Sequence, residues 1–183
     1  TSRALNNRAG VFLEKEKYDL AIEEYTKAIE INHQPWVYRN RALSYEELED
    51  YEKAIADYTS AIDLDKENPK RYNNRAVCYI AMEKYTNALK DLDKAIDLDP
   101  ENPRWYNNRA DFYKNYQENY AAALKDYALA IEMSTDDYQT SRALNNRALV
   151  YELEEKWDLC IEEITKAIEL YPDYALYYNT TGS

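Results

Sequence analysis

The sequence predicts an all-α solenoid of short antiparallel helix hairpins, and three observations predict it. The string Asn-Arg-Ala ends at Ala9, Ala42, Ala76, Ala110 and Ala148, spacings of 33, 34, 34 and 38 residues, and a fixed period of this size marks a repeat array. Within each period the apolar residues recur at helical spacing: Ala54, Ile55, Tyr58, Ala61 and Ile62 share one face at 3.6 residues per turn. Glycine is nearly absent, 2 of 183 residues against 20 tyrosines, about 1% where ~7% is usual. That scarcity argues against hairpin-rich sheets, phosphate-cradling loops and dinucleotide fingerprints, all of which need glycine backbone.

Each repeat divides into two helices of roughly 12 to 15 residues, the commonest length for soluble helices. The first (2–34) sets Ala9 and Phe12 in its first helix, then Tyr18, Ala21, Tyr25 and Ala28 in its second. The next two (35–68 and 69–102) repeat that order, and Pro69 and Pro103 stand where one helix has stopped and another begins, since proline suits a first turn and disrupts an interior. The fourth (103–136) carries an extra residue around Tyr116-Gln117-Glu118-Asn119, which predicts a looser turn between its helices. Before the fifth (137–172) come four extra residues through Ser134–Gln139. Four residues are about one helical turn, ~6 Å of rise, so they lengthen the next helix and keep its phase, with Asp136 as its N-cap. Residues 173–180 begin a sixth unit and read as a partial capping helix. The whole, 1–183, reads as one solenoid domain. Thr1–Ala9 recurs identically as Thr140–Ala148, which means either a duplicated block of four repeats or an engineer's reuse of a segment, and the chain reads as a fragment of a longer array or a designed one.

The order aromatic, small, aromatic, aromatic, alanine, bulky, alanine, proline, as in Tyr72, Ala76, Tyr79, Tyr85, Ala88, Leu92, Ala95 and Pro100, resembles the tetratricopeptide repeat. The resemblance runs from Ser2 to Pro172. It departs from the family at one column, where Ala9, Ala42, Ala76, Ala110 and Ala148 stand in place of the usual glycine. It implies a right-handed superhelix whose first helices line a concave groove, with no chemistry of its own.

Charge and cysteine content narrow the function classes. Lys plus Arg number 23 and Asp plus Glu 35, a net charge of −12, which disfavours nucleic acid and anionic membrane as partners. No apolar run approaches the ~20 residues of a membrane span, and two cysteines make no disulfide framework, so a soluble cytoplasmic protein with reduced thiols is expected. His33 is the sole histidine, and acid–base or metal work would need a partner for it. No nucleophile is matched to a base. No catalytic residue, metal or cofactor is expected.

Two polar columns stand out. Arg8, Arg41, Arg75, Arg109 and Arg147 each have an acid 16 or 17 residues on: Glu24, Asp57, Asp91, Asp126 and Glu163. So close to the alanine column, such arginines need carboxylate partners, because an unpaired buried charge costs several kcal/mol; one ion pair per repeat is predicted. One residue before each arginine stands Asn7, Asn40, Asn74, Asn108 or Asn146, a column that packing does not call for. It resembles the asparagine ladder of the glycosyltransferase that puts N-acetylglucosamine on intracellular proteins. An amide offers donor and acceptor together and so matches a peptide backbone whatever its side chains.

Basic residues share that groove: Arg3, Lys70, Arg104 and Arg142 lie four residues before the ladder asparagine, and Arg39 lies just before Asn40. They are similar to the carboxylate clamp by which cochaperones hold the acidic C-terminus of heat-shock chaperones. Arg39, Asn74 and Arg104 match clamp positions, whereas Leu43 and Asn108 stand where the clamp has asparagine and a second basic residue. Glu46, Glu47, Asp111 and Glu152 give the other rim the opposite sign. The expected function is capture of an extended, acidic or C-terminal peptide by Asn7, Asn40, Asn74, Asn108, Asn146, Arg39, Lys70, Arg104 and Arg142. The alternative is a structural or designed scaffold that self-associates through its open ends.

Overall fold

The structure is a computed structural model described for residues 1–172; the expected capping helix at 173–180 lies outside the described residues. Ten helices occupy the described residues, and they form two compact units. The first, Thr1–Leu98, holds α1 (Ser2–Glu14), α2 (Tyr18–Ile31), α3 (Pro35–Glu47), α4 (Tyr51–Leu64), α5 (Pro69–Ala81) and α6 (Tyr85–Leu98). The second, from Asp99 on, holds α7 (Pro103–Tyr116), α8 (Tyr120–Met133), α9 (Asp137–Leu153) and α10 (Trp157–Leu170). In each unit the helices pack in successive pairs, which makes the fold all-α. None of the described helices is long and apolar enough to cross a membrane.

Local chemistry sets the boundaries. Pro35, Pro69 and Pro103 each open a first helix, where the missing N–H costs nothing because it would have no intrahelical partner. Asn68, Asn102, Asn119 and Asp136 cap by accepting from the backbone N–H of Lys70, Arg104, Ala122 and Gln139. Asp136 holds the Gln139 N–H at 2.8 Å, and α9 runs to 17 residues, so the four extra residues do become a helical turn.

The turn inside every hairpin carries a glutamate in the left-handed region: Glu16, Glu49, Glu83, Glu118 and Glu155, with φ between 50° and 58°. The residue after it closes the turn by donating to a carbonyl five positions back, as Asp50 N–H does to Tyr45 and Lys84 N–H to Tyr79. In the fourth hairpin the extra residue stretches this bond to six positions, Asn119 N–H to the Tyr113 carbonyl at 3.0 Å. The turn accommodates it by letting α7 run one residue longer than α5.

Alanines fix how closely the helices approach. Ala9, Ala21 and Ala28 are fully buried around Tyr25, and Val37 from α3 closes the cluster. Ala42, Ala54, Tyr58 and Cys78 repeat the arrangement, as do Ala110, Ala123, Tyr127 and Val150 in the second unit. A large ring surrounded by methyl-sized neighbours leaves no room for substitution; emptying such a site costs about 3–5 kcal/mol. The hairpin α1–α2 reappears as α9–α10: Ser2 Oγ donates to the Ala28 carbonyl, and Ser141 Oγ to the Ala167 carbonyl, both at 2.9 Å.

Candidate peptide-binding face

The arginine column is structural. Arg41 binds Asp57 through Nε and Nη2 at 2.7 and 2.8 Å, Arg75 binds Asp91 at 2.7 and 2.9 Å, and Arg109 binds Asp126 likewise. Arg147 pairs with Glu163 at 2.6 Å, and Arg8 pairs with Glu24. Each of the five pairs lies within its own hairpin. They consume the arginines' charge and leave the ligand-binding question to the other polar columns.

The asparagine column is partly accounted for by bonds to neighbouring helices. Asn40 Nδ2 donates to Asn6 Oδ1 of α1 at 3.0 Å, and Arg39 Nη1 donates to Asn40 Oδ1 at 3.1 Å. Asn74 Nδ2 reaches the Tyr58 hydroxyl at 3.4 Å, and that hydroxyl donates in turn to Glu46. In the second unit Asn146 Nδ2 donates to Asp111 Oδ1 at 3.0 Å, Tyr127 donates to the same oxygen at 2.5 Å, and Arg142 Nη2 donates to Asn108 Oδ1 at 3.4 Å. Asn7 is exposed on α1, whereas Asn146 is buried. A side-chain amide has two N–H groups and two lone pairs, so one bond to a neighbour leaves an amide capacity for another.

Glu46 and Asp111 do more than colour one rim. Each sits largely out of water beside a buried tyrosine hydroxyl, and burial raises its pKa above the ordinary carboxylate value, a push that the Tyr58 and Tyr127 bonds partly offset. Cys78 also bonds Glu46, and burial pushes this thiol up. Both cysteines are buried and free. His33 sits exposed in a turn with Nδ1 2.5 Å from the Tyr38 hydroxyl.

Three of the expected residues meet around one cavity in the first unit. Arg39 on α3 and Lys70 and Asn74 on α5, together with Trp36, Asn68 and Arg71, line a space of about 260 Å³. Arg71 is buried and neutralised, its Nη1 2.5 Å from Asp65 Oδ2 and 2.7 Å from the Asp65 carbonyl. Arg39 and Lys70 are exposed and form no salt bridge among the described residues, although Arg39 lies near enough to Glu46 to favour its ionised form. The cavity thus offers two exposed cations beside an indole and an amide. In the second unit Arg142 bonds Asn108 while its charge also acts on Asp111, the partner of Asn146, and Arg104 stands exposed in the first turn of α7. Trp36 is the residue that sequence reasoning passed over; it occupies the column of Lys70, Arg104 and Arg142, four before the ladder asparagine, and its odd chemistry there was the available signal.

Helical hairpins in series with polar first helices define a protein of the helical-repeat class. Tetratricopeptide repeat profiles match residues 1–67, 69–102 and 141–174, and the chain belongs to the tetratricopeptide repeat family. No curated protein sequence matches it. Among solved structures it is similar to MamA, at 20% identity and a TM-score of 0.77, over 92% of this chain and 97% of that one. It is similar to YrrB, described as a TPR protein with an unusual peptide-binding site, at 21% identity and a TM-score of 0.70, over 98% and 92%. The first TPR of Spaghetti, solved with the HSP90 peptide SRMEEVD, matches 62% of this chain and 90% of its own, at 27% identity and a TM-score of 0.58.

Proposed function

We propose that the protein is a peptide-capture module whose first-helix face takes an extended segment bearing acidic side chains or a free C-terminal carboxylate. The observation that carries this is the pair Arg39 and Lys70, exposed cations outside any salt bridge beside Trp36 and Asn74 in a chain of net charge −12. A local basic site inside an acidic molecule steers an anionic ligand and rejects others. The acidic peptide held by the Spaghetti domain is a ligand of the same chemistry on a similar fold.

In this reading Asn40 and Asn74, with Asn7 at the margin, bond the peptide backbone in the first unit, and Asn108 and Asn146 do so in the second with Arg104 and Arg142 supplying charge. Each amide bond nets ~0.5–1.5 kcal/mol, so several act in series. The Trp36 indole packs on an apolar ligand side chain.

Titration calorimetry with an acidic peptide carrying a free C-terminus tests this, alongside its amidated and lysine-substituted versions. Arg39→Ala with Lys70→Ala is expected to weaken binding at least about tenfold, since bonds to charged groups are worth about 1.5–3 kcal/mol each. Unchanged affinity in that variant, and in Asn74→Ala with Asn108→Ala, overturns the reading.

A further inference from the structure

Each unit carries a half-buried carboxylate that joins a buried tyrosine to a ladder asparagine, and the two carboxylates come from different sequence positions. Glu46 stands four residues after Ala42 and Asp111 one residue after Ala110, yet each accepts from the equivalent tyrosine of its own hairpin, Tyr58 or Tyr127. The ladder asparagine of the next first helix joins both networks: Asn74 Nδ2 reaches the Tyr58 hydroxyl at 3.4 Å, and Asn146 Nδ2 donates to Asp111 Oδ1 at 3.0 Å. An arginine of the same face acts on each, Arg39 on Glu46 and Arg142 on Asp111, and favours the ionised carboxylate. Arg39 and Asn74 both line the cationic cavity, so this buried network ends at the candidate site.

Tyr58 of α4, Cys78 of α5, and Arg39 and Glu47 of α3 act on Glu46, while the Tyr18 hydroxyl of α2 reaches Glu47. Burial pushes the Tyr58 hydroxyl and the Cys78 thiol up, so both keep their protons and Glu46 is the group that titrates. Burial also raises Glu46 above the ordinary carboxylate value, against the pull of Tyr58, Cys78 and Arg39. Asp111 is placed alike. Tyr127 of α8, Arg142 and Asn146 of α9 and Lys114 of α7 oppose the effect of its burial, and Asn107 Nδ2 lies 3.3 Å from Oδ2.

We propose that the first-helix face takes its anionic peptide together with a proton, held at Glu46 in the first unit and at Asp111 in the second, so that capture is tighter in acid. The inference rests on the peptide-capture reading above. An anion seated on Arg39 offsets the charge that favours ionised Glu46 and adds its own repulsion, so the occupied site makes this carboxyl hold its proton more firmly. By linkage, a protonated Glu46 favours the ligand to the same degree. The hydrogen bonds agree in sign. With Glu46 ionised, Tyr58 donates to it and Asn74 gives an N–H to the tyrosine oxygen. With Glu46 protonated, its O–H serves the tyrosine oxygen, Tyr58 turns its own O–H to Asn74 Oδ1, and the amide N–H groups face the anion. In the second unit a neutral Asp111 is a weaker acceptor and loosens its hold on Asn146.

Titration calorimetry of the full chain with an acidic peptide bearing a free C-terminus, run at each pH in two buffers of different ionisation enthalpy, reads affinity and proton uptake together. Wild-type affinity is expected to rise about threefold or more from about pH 8 to about pH 5, with net proton uptake on binding. Glu46→Gln with Asp111→Asn keeps oxygens for Tyr58 and Tyr127 but has nothing to ionise there. It should lose the uptake, and its affinity should no longer rise in acid; matching thermal melts by circular dichroism verify that it folds. Glu46→Gln alone, expected to lower the uptake, serves if the double variant unfolds. Wild-type binding without proton uptake overturns this proposal and leaves peptide capture standing. Undiminished uptake in a folded variant also overturns it, and no binding at any pH overturns both.

Discussion

Arg75 grips Asp91 with two parallel bonds, Nε to Oδ2 at 2.7 Å and Nη2 to Oδ1 at 2.9 Å, while the rings of Tyr72 and Tyr79 each lie 5.8 Å from its guanidinium carbon. The fork geometry fits a carboxylate, and the flat cation is sandwiched between two π faces. Removing the arginine strands Asp91, whose side chain is almost wholly buried.

Arg75→Ala is therefore expected to cost about 3–5 kcal/mol, the loss seen when one partner of a buried pair is removed. Arg8→Ala, at the half-exposed first pair, is expected to cost about 1 kcal/mol or less. Urea titration followed by circular dichroism compares the two. Equal losses would show that burial does not set the value of these pairs.

The glutamates in the left-handed region hold a conformation that costs an L-residue about 1–2 kcal/mol and glycine almost nothing. Glu83→Gly is expected to raise stability by up to about 1 kcal/mol, part of the gain being returned through the looser unfolded chain. An upward shift of the urea midpoint checks this, and Glu83→Ala, which keeps the strain, should not reproduce it.

Asp111 has its pKa raised by burial, so the folded state holds this proton to higher pH than the unfolded chain does. The sign follows from linkage: stability falls as pH rises from the ordinary aspartate value through the raised one, and the full loss is present above it. Asp111→Asn keeps an oxygen for Tyr127 and Asn146 but has nothing to ionise. The difference in unfolding free energy between variant and wild type should therefore move in the variant's favour as pH rises across the carboxylate range and then level off. Parallel slopes for the two proteins would contradict that.

Trp36 lines the cationic cavity, so its fluorescence should respond to an acidic peptide. Trp36→Ala is expected to remove that part of the signal and weaken binding severalfold, and wild-type affinity should fall as salt is added, because exposed charges are screened beyond about 10 Å at 0.1 M. Salt-independent affinity would point to a ligand held elsewhere.

The hairpins were legible because alanine spacing, aromatic placement and proline positions are local facts that repeat; one repeat read correctly predicts the rest. The arginine pairs were legible for the same reason, with Arg41 and Asp57 recurring at a constant offset. The strained turns were not, since a glutamate in the left-handed region looks like any surface glutamate. The asparagine column carries no packing signal in the sequence, yet Asn40, Asn74 and Asn146 all bond to neighbours. Those partners, Asn6, Tyr58 and Asp111, lie 34, 16 and 35 residues away and have no common spacing. The Trp36 cavity escaped because it forms where the odd residue of one first helix meets Lys70 of the next.

The fourth and fifth hairpins also show how such an array can change its length. One added residue was absorbed where the Asn119 N–H reaches back to Tyr113, and four were absorbed as a whole turn behind the Asp136 cap. Insertions thus obey a grammar: single letters enter at the bend, whole syllables at a helix's beginning. A single residue added in mid-helix, beside Ala110 for example, would rotate every following side chain by about 100° and misdirect the face it belongs to.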